Sequence, residues 1–347
     1  SYRQHFFSAI LIPEESVDEL TVTSENLSSD ESLEEVFTKK FGVRLPLAYK
    51  AGEFESNFEY YFGITDYQTL KSYDRDLESS IPVGWGIFGW LNRFVFMPLF
   101  GFLSSFLPHG LAIILMTIIV RLAMSPVTYK SYVSQIKMKV LRPEIEELNN
   151  KYKDNAVKRQ QETMSLYNRA GANPMAGCIP ALLQLPVFYA LFTFFPVAFE
   201  LRKKSFLWAD DLSSYDSVLE LGFNIPFYGD HVSLFTLLMT ISTLLYTKMN
   251  ASMATGQMAQ MKWMMYLMPI MFLGFFNNYA AGLSYYYFLA NMFTFTQQYL
   301  MKRMINEDII LAELEANKKK PPKPKSKFQK KLEAMQKQQE QRMKKRK

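Results

Sequence analysis

Residues 263–301 run for 39 positions without one Asp, Glu, Lys or Arg, and residues 170–199 are equally free of charge. A water-soluble fold of ordinary size does not leave so long a stretch uncharged. A bilayer does, because each crossing helix needs about 20 apolar residues. The segment 81–128 adds only Arg93 and Arg121 to this uncharged body. The charge lies at the two ends: residues 1–80 hold 16 of the 33 acids, and residues 302–347 hold 16 Lys and Arg against 6 acids. The formal charge of +6 therefore averages an acidic start, an apolar body and a basic end. The pattern predicts an α-helical polytopic membrane protein with polar appendages.

Several chemistries fall away. A single cysteine excludes a disulfide scaffold and a multi-Cys metal site. His5, His109 and His231 are too dispersed to point to a metal centre, and no metal is expected. There is no GxxxxGK[ST] and no GxGxxG, so no nucleotide cofactor is expected.

Residues 1–80 read as strands: Phe6–Ile12 up to Pro13, a weak alternation over Val17–Val22, and the aromatic alternation Phe54, Phe58, Tyr60, Phe62. So few strands bury little alone. They read as the C-terminal part of a larger β domain, N-terminally truncated, with a small self-contained module as the alternative. Residues 81–108 carry Trp85, Trp90, Phe88 and Phe94 and are broken by Pro98 and Gly101. They predict an amphipathic helix in the membrane interface, with a spanning helix as its competitor.

A membrane core is expected over 109–304, with five spans at about 109–128, 178–198, 232–248, 261–276 and 283–301. Between the first two, 131–170 predicts a polar helical hairpin. Met138, Leu141, Ile145, Leu148 and Tyr152 recur at helical steps, Lys153-Asp154-Asn155 turns the chain, and Val157, Gln161, Met164 and Tyr167 continue on the other arm. Residues 200–231 predict a polar loop and 249–262 a Met-rich one. The end, 305–347, broken by Pro321, Pro322 and Pro324, predicts a basic tail that is disordered or weakly helical. Basic residues mark the cytoplasmic side. That puts the hairpin, the Met-rich loop and the tail inside and the acidic start outside.

Arg121 carries the sharpest functional signal. It lies in an apolar run, and none of the five spans contains an acid to pair with it. An ionised side chain in hydrocarbon is costly, so it implies water, polar partners or backbone carbonyls. The plainer alternative is snorkelling of its long stem to the interface. Thr117 shares its helix face. Gln184 lies between Pro180 and Pro186, and Ser284, Tyr287 and Asn291 follow at steps of three and four. Singly these read as interhelical hydrogen bonds; with an unpaired Arg they read as a hydrated groove. Met249, Met253, Met258, Met261, Met264 and Met265 read as packing or as an adaptable apolar surface. The basic tail suits anionic lipid or ribosomal RNA. With no nucleophile beside a base in any span, an intramembrane protease is not supported, and no enzyme is expected.

Three strings carry a family resemblance. The run Thr117-Ile118-Ile119-Val120-Arg121-Leu122-Ala123-Met124-Ser125-Pro126-Val127-Thr128 resembles the first core helix of the YidC-type membrane protein insertases, the Oxa–YidC–Albino family. Asn173–Phe188 is similar to that family's next core helix, and Gly282–Asn291 followed by Gln297-Gln298 to its last. The resemblance covers about 85–305 in the family's order, and the start looks like the end of its bacterial periplasmic β-sandwich. It implies a five-helix core around a hydrophilic groove open to cytoplasm and lipid. It also implies insertion and folding of nascent membrane proteins, alone or with the Sec translocon, in the bacterial inner membrane. By the same resemblance Arg121, Thr117, Gln184, Tyr287 and Asn291 are groove positions, with Tyr286 competing with Tyr287, and the hairpin recruits substrates. The rival classes are a small-molecule transporter or channel, which would show inverted repeats or ion-binding carboxylates, and a purely structural assembly factor.

Overall fold

The computed structural model describes residues 1–3, 6–14, 19–27, 39–46, 56–153, 155–173, 176, 179–251 and 262–319. His5, Val17, Phe54, Asp154, Pro174, Met175, Gly177, Cys178, Met253, Met258, Met261 and the tail beyond Lys319 lie outside the described residues.

The start of the chain forms β1 (Tyr2–Arg3), β2 (Phe7–Pro13), β3 (Thr21–Asn26), β4 (Lys39–Arg44) and β5 (Phe58–Ile64). The first, second and fifth make an antiparallel sheet in the order β1-β2-β5, and β3 pairs with β4 separately. Register runs from Phe7 opposite Ile64 to Pro13 opposite Phe58. This sheet turns Ile10, Ile12 and Tyr61 onto a small core with Leu70, Ile81 and Val83. The aromatic alternation is real, but it faces outward: Tyr60 and Phe62 stack on each other, exposed, while Tyr61 is the buried ring. The sheet is tied to the rest of the chain by Arg202, whose guanidinium sits 5.5 Å from the Phe6 ring and 5.1 Å from the Phe7 ring.

A short α1 (Tyr67–Lys71) leads to α2 (Gly86–Leu91), a π turn over Asn92–Phe96, and α3 (Met97–Ser104). Pro98 does not break this segment. The π turn over Asn92–Phe96 runs directly into α3, and Pro98 sits in the first turn after it. Gly86–Ser104 is long and apolar enough to cross a bilayer by length and composition. Trp85, Trp90, Phe94 and Phe102 are nevertheless exposed along it. Asn92, buried in the π turn, donates to Val83 O at 2.7 Å and to Ala190 O at 2.8 Å, bolting the segment to a later helix.

The central element is α4 (His109–Val140), 32 residues long. The first expected span, 109–128, and the first arm of the hairpin expected over 131–170 lie on this one helix. One helix runs through Pro126, and its end forms the first hairpin arm together with α5 (Arg142–Lys151). Proline removes one backbone donor. Flanking hydroxyls reinforce the turn, Ser125 Oγ donating to Arg121 O (3.0 Å) and Thr128 Oγ1 to Met124 O (3.1 Å). Asn155 caps α6 (Ala156–Ala170) by accepting from Lys158 N (2.9 Å), and Gly171 ends it in the left-handed region.

Then come α7 (Ile179–Phe194), a hairpin of β6 (Leu219–Ile225) and β7 (Gly229–Val232), α8 (Leu234–Ala251), α9 (Lys262–Asn277), α10 (Ala281–Met304) and α11 (Glu307–Lys319). The expected loop at 200–231 thus contains a β-hairpin. The start of the tail, expected to be disordered or weakly helical, is the helix α11, which buries Ile310 and Leu314 against Tyr132, Ile136, Leu166 and Tyr167. Lys137 with Glu313, Lys139 with Glu307 and Lys318 with Glu144 flank that contact. Helix α10 packs on α4 and α8, and α8 packs on α9. Phe100, Met116, Phe194, Phe195, Phe276 and Tyr286 fill the space between them. Both α7 and α9 have 16 residues, or about 24 Å of helix, short of a hydrocarbon layer of about 30 Å.

A candidate polar site between the helices

The two ends of the bundle satisfy their polar groups differently. At the end formed by 200–233 and 276–284 nearly every group finds a partner. Asp216, buried, accepts from Trp208 Nε1 (2.8 Å), Leu234 N (2.9 Å), Phe235 N (3.0 Å) and Ser233 Oγ, and so caps α8. Asn277 accepts from Ser233 N (2.9 Å) and donates to His231 O (2.8 Å) and Tyr228 O (2.9 Å). Gly282 N donates to Leu212 O (2.9 Å), and a side chain at Gly282 would strike Phe195 and that carbonyl. Packing this close plugs the end of the bundle.

Deeper in the bundle the accounting does not close. Arg121 Nε on α4, both amide atoms of Gln184 on α7, Thr240 Oγ1 on α8 and the hydroxyls of Tyr286 and Tyr287 on α10 are buried without hydrogen-bond partners among the described residues. Left dry, each such group costs roughly 1–3 kcal/mol. The charge of Arg121 acts on both tyrosine hydroxyls, and the Gln184 amide lies beside that of Tyr287. Arg121 makes no ion pair among the described residues. The arrangement is a cationic, hydrogen-bond-capable patch with no acid paired to its charge among the described residues.

The five residues singled out by spacing therefore separate. Arg121, Gln184 and Tyr287 converge from three helices. Thr117 is buried one turn away on α4, its hydroxyl donating to Ile113 O at 2.7 Å, so its own helix satisfies it. Asn291 turns to α8, donating to Ser242 Oγ (2.9 Å) and Thr243 Oγ1 (3.0 Å). Tyr286 is fully buried against Phe195, whereas Tyr287 is partly exposed and packs on Phe188. The span expected at 232–248 is α8, but its polar face was not foreseen. Thr236, Thr240 and Thr243 form a polar stripe at steps of four and three, and Thr236 meets Ser284 at 3.1 Å. Sequence reasoning also missed the link from Gln297 to Ser125, which joins α10 to the turn after Arg121. Among the described residues no three His, Cys, Asp or Glu side chains gather as a metal site.

A second concavity of about 470 Å³ lies between α3, the end of α7 and α1. Glu200 lines it, and burial, aided by the nearby Asp66, pushes its carboxyl above the usual range.

Comparison with known proteins places these features in a family. The model of the 60Kd inner membrane protein family matches residues 101–308. Membrane protein insertase YidC of Parabacteroides distasonis is 48% identical over 362 residues, covering 99% of this chain and 56% of that protein. Membrane protein insertase YidC of Bacteroides fragilis (strain ATCC 25285) is 42% identical, covering 98% and 57%. The chain thus spans little more than half the length of the curated relatives it matches. A solved structure titled "Active YidC insertase crystal structure with the first transmembrane domain resolved" is 26% identical, with 75% of this chain and 56% of that chain covered at a TM-score of 0.45. With the family match extending over more than half of its 347 residues, the chain belongs to the 60Kd inner membrane protein family, whose members named here are YidC-type membrane protein insertases.

Proposed function

We propose that this chain is the insertase core of its protein. It accepts nascent membrane proteins, alone or beside the Sec translocon, and releases them into lipid without a cofactor or a covalent step. The observation that carries the reading is the convergence of Arg121, Gln184 and Tyr287, with buried polar atoms that have no hydrogen-bond partner among the described residues. Such a patch is cheapest when wet, and a wet patch inside the bundle shortens the apolar distance a polar chain must cross. The plugged end at Asp216 and Asn277 would then face the periplasm, and the α4–α6 hairpin and α11 the cytoplasm. On this reading α4, α7, α8, α9 and α10 are the five core helices, and the β1–β5 region is the end of a periplasmic β-sandwich. The basic residues beyond α11 meet anionic lipid or the ribosome.

In this mechanism Arg121 draws an acidic residue of a short translocated tail into the groove. The apolar segment follows along the exposed faces of α7 and α9, where Leu182, Leu185, Ile270, Met271 and Phe275 present side chains outward. Transfer of about 20 apolar residues into lipid supplies the free energy. Arg121→Ala should cut insertion of a substrate with an acidic tail about tenfold, the equivalent of about 1.4 kcal/mol, and leave a neutral-tailed substrate near the parental level. Equal insertion of the acidic substrate by variant and parent overturns the charge role. Crosslinking from Thr117, Gln184 and Tyr287 to a stalled nascent chain tests the groove itself: crosslinks that move with substrate length are expected, and none from Gln184 or Tyr287 would refute it.

A further inference from the structure

The concavity beside α3 is separate from the Arg121 patch, and its lining mixes polar and apolar groups. Thr65, Asp66, Gln68 and Glu200 line it together with Met97, Phe102 and Val197. Its volume of about 470 Å³ falls within the range of small-molecule sites. The wall is open at Gly101, where an added side chain would meet nothing within 4 Å. Exposed Trp85, Trp90 and Phe94 lie on the same helical segment, and aromatic residues of that kind mark the level of lipid headgroups.

The charges are one-sided. Asp66 Oδ2 accepts from Thr69 N (2.7 Å) and Thr69 Oγ1 (2.8 Å) as the cap of α1, and neither Asp66 nor Glu200 is ion-paired among the described residues. No Lys or Arg lines the cavity. Thr65, by contrast, is satisfied, meeting Ser8 Oγ at 2.8 Å. Burial penalises an ionised Glu200, and the nearby Asp66 adds to that penalty. A ligand that relieves this must bring a compact cation, and it must also place apolar matter against Met97 and Phe102.

We propose that this cavity binds the headgroup end of a phospholipid carrying a primary amine. The ammonium sits between Asp66 and Glu200, and the glycerol and first methylenes leave over Gly101 toward the tryptophan belt. An ammonium has three donors for two carboxylates, whereas a trimethylated amine has none and an anionic headgroup is repelled. The inference rests on the membrane placement proposed above but not on insertase activity, because its readout is bound lipid.

The test is native mass spectrometry of the whole chain extracted from vesicles of equimolar phosphatidylethanolamine, phosphatidylcholine and phosphatidylglycerol. Retained phosphatidylethanolamine should exceed the other two about tenfold, or about 1.4 kcal/mol of preference. Glu200→Gln should bring that ratio near one. Gly101→Leu, whose Cβ would meet nothing within 4 Å, should abolish retention while the thermal unfolding of delipidated protein stays unchanged. Equal retention of the three lipids by the parent, or a preference that survives either variant, means annular lipid only and overturns the proposal. So does displacement of the amine lipid by a lysine-containing peptide at stoichiometric concentration, which would make the cavity a protein-docking site.

Discussion

Helix α11 offers the most direct test of how this chain is held together, because two kinds of contact fix it and their magnitudes differ. Leu314 is fully buried and Ile310 is 6% exposed. Truncating a buried leucine to alanine costs about 3 kcal/mol once the cavity is counted. The flanking pairs Lys137–Glu313, Lys139–Glu307 and Lys318–Glu144 all have partly exposed side chains. Such pairs give a few tenths of a kcal/mol each, about 1–1.5 kcal/mol together, and salt screens them. The apolar contact should therefore dominate. Leu314→Ala should raise the undocked fraction of α11 more than a hundredfold, while 0.5 M salt raises it less than about tenfold. Hydrogen exchange of the amides of 307–319, read by mass spectrometry in detergent, reports that fraction directly. If salt alone brings their exchange to the level of the Leu314→Ala variant, the ion pairs carry the docking and the argument from burial is wrong.

Three further outcomes follow from particular groups. Asp216→Ala strands two backbone donors, Trp208 Nε1 and Ser233 Oγ at the start of α8; it should lower unfolding stability by about 2–4 kcal/mol in a denaturant series, and a loss below about 0.5 kcal/mol refutes the capping role. Glu200 has its carboxyl raised by burial, so the folded chain holds that proton more tightly than the unfolded one. Its contribution is full below the ordinary carboxyl range and is lost as pH rises through the raised value, so Glu200→Gln should gain stability over the parent at pH 8 and none at pH 4; a gain that is equal at both refutes it. Asn291→Leu removes two donated bonds, yet Ser242 and Thr243 still donate to Met239 O; the cost should be only about 1 kcal/mol in the same denaturant series.

Much of this was legible in the residues because the signals were local. Arg121 stood out as a lone charge in an apolar run, and the hairpin arms showed their 3.6-residue period over Met138–Tyr152. Gln184 and Tyr287 were legible as polar positions, and the structure brings both to Arg121. What escaped was tertiary. Asn291 has the same spacing logic as Tyr287, yet its amide turns to α8, because Ser242 and Thr243 offer acceptors there. The 305–347 segment is polar on average. Nothing in its composition says that Ile310 and Leu314, four residues apart, will find an apolar groove on α4 and α6. The apolar run of the first span ends at Thr128, yet the helix continues through Pro126 to Val140, with hydroxyls on either side of the proline bonding back to the preceding turn.

The continuity of α4 has a mechanical consequence. Arg121 and Lys137 lie on one rod, 16 residues and about 24 Å apart. A tug on the hairpin, or on α11 where it grips Lys137 and Lys139, is carried along that rod as rotation and tilt instead of being absorbed by a joint. The compliant point along the way is Pro126, where one rung of the hydrogen-bond ladder is missing. On the membrane placement proposed above, a load applied outside the bilayer would reorient the guanidinium within it, with Pro126 setting how much of the motion arrives.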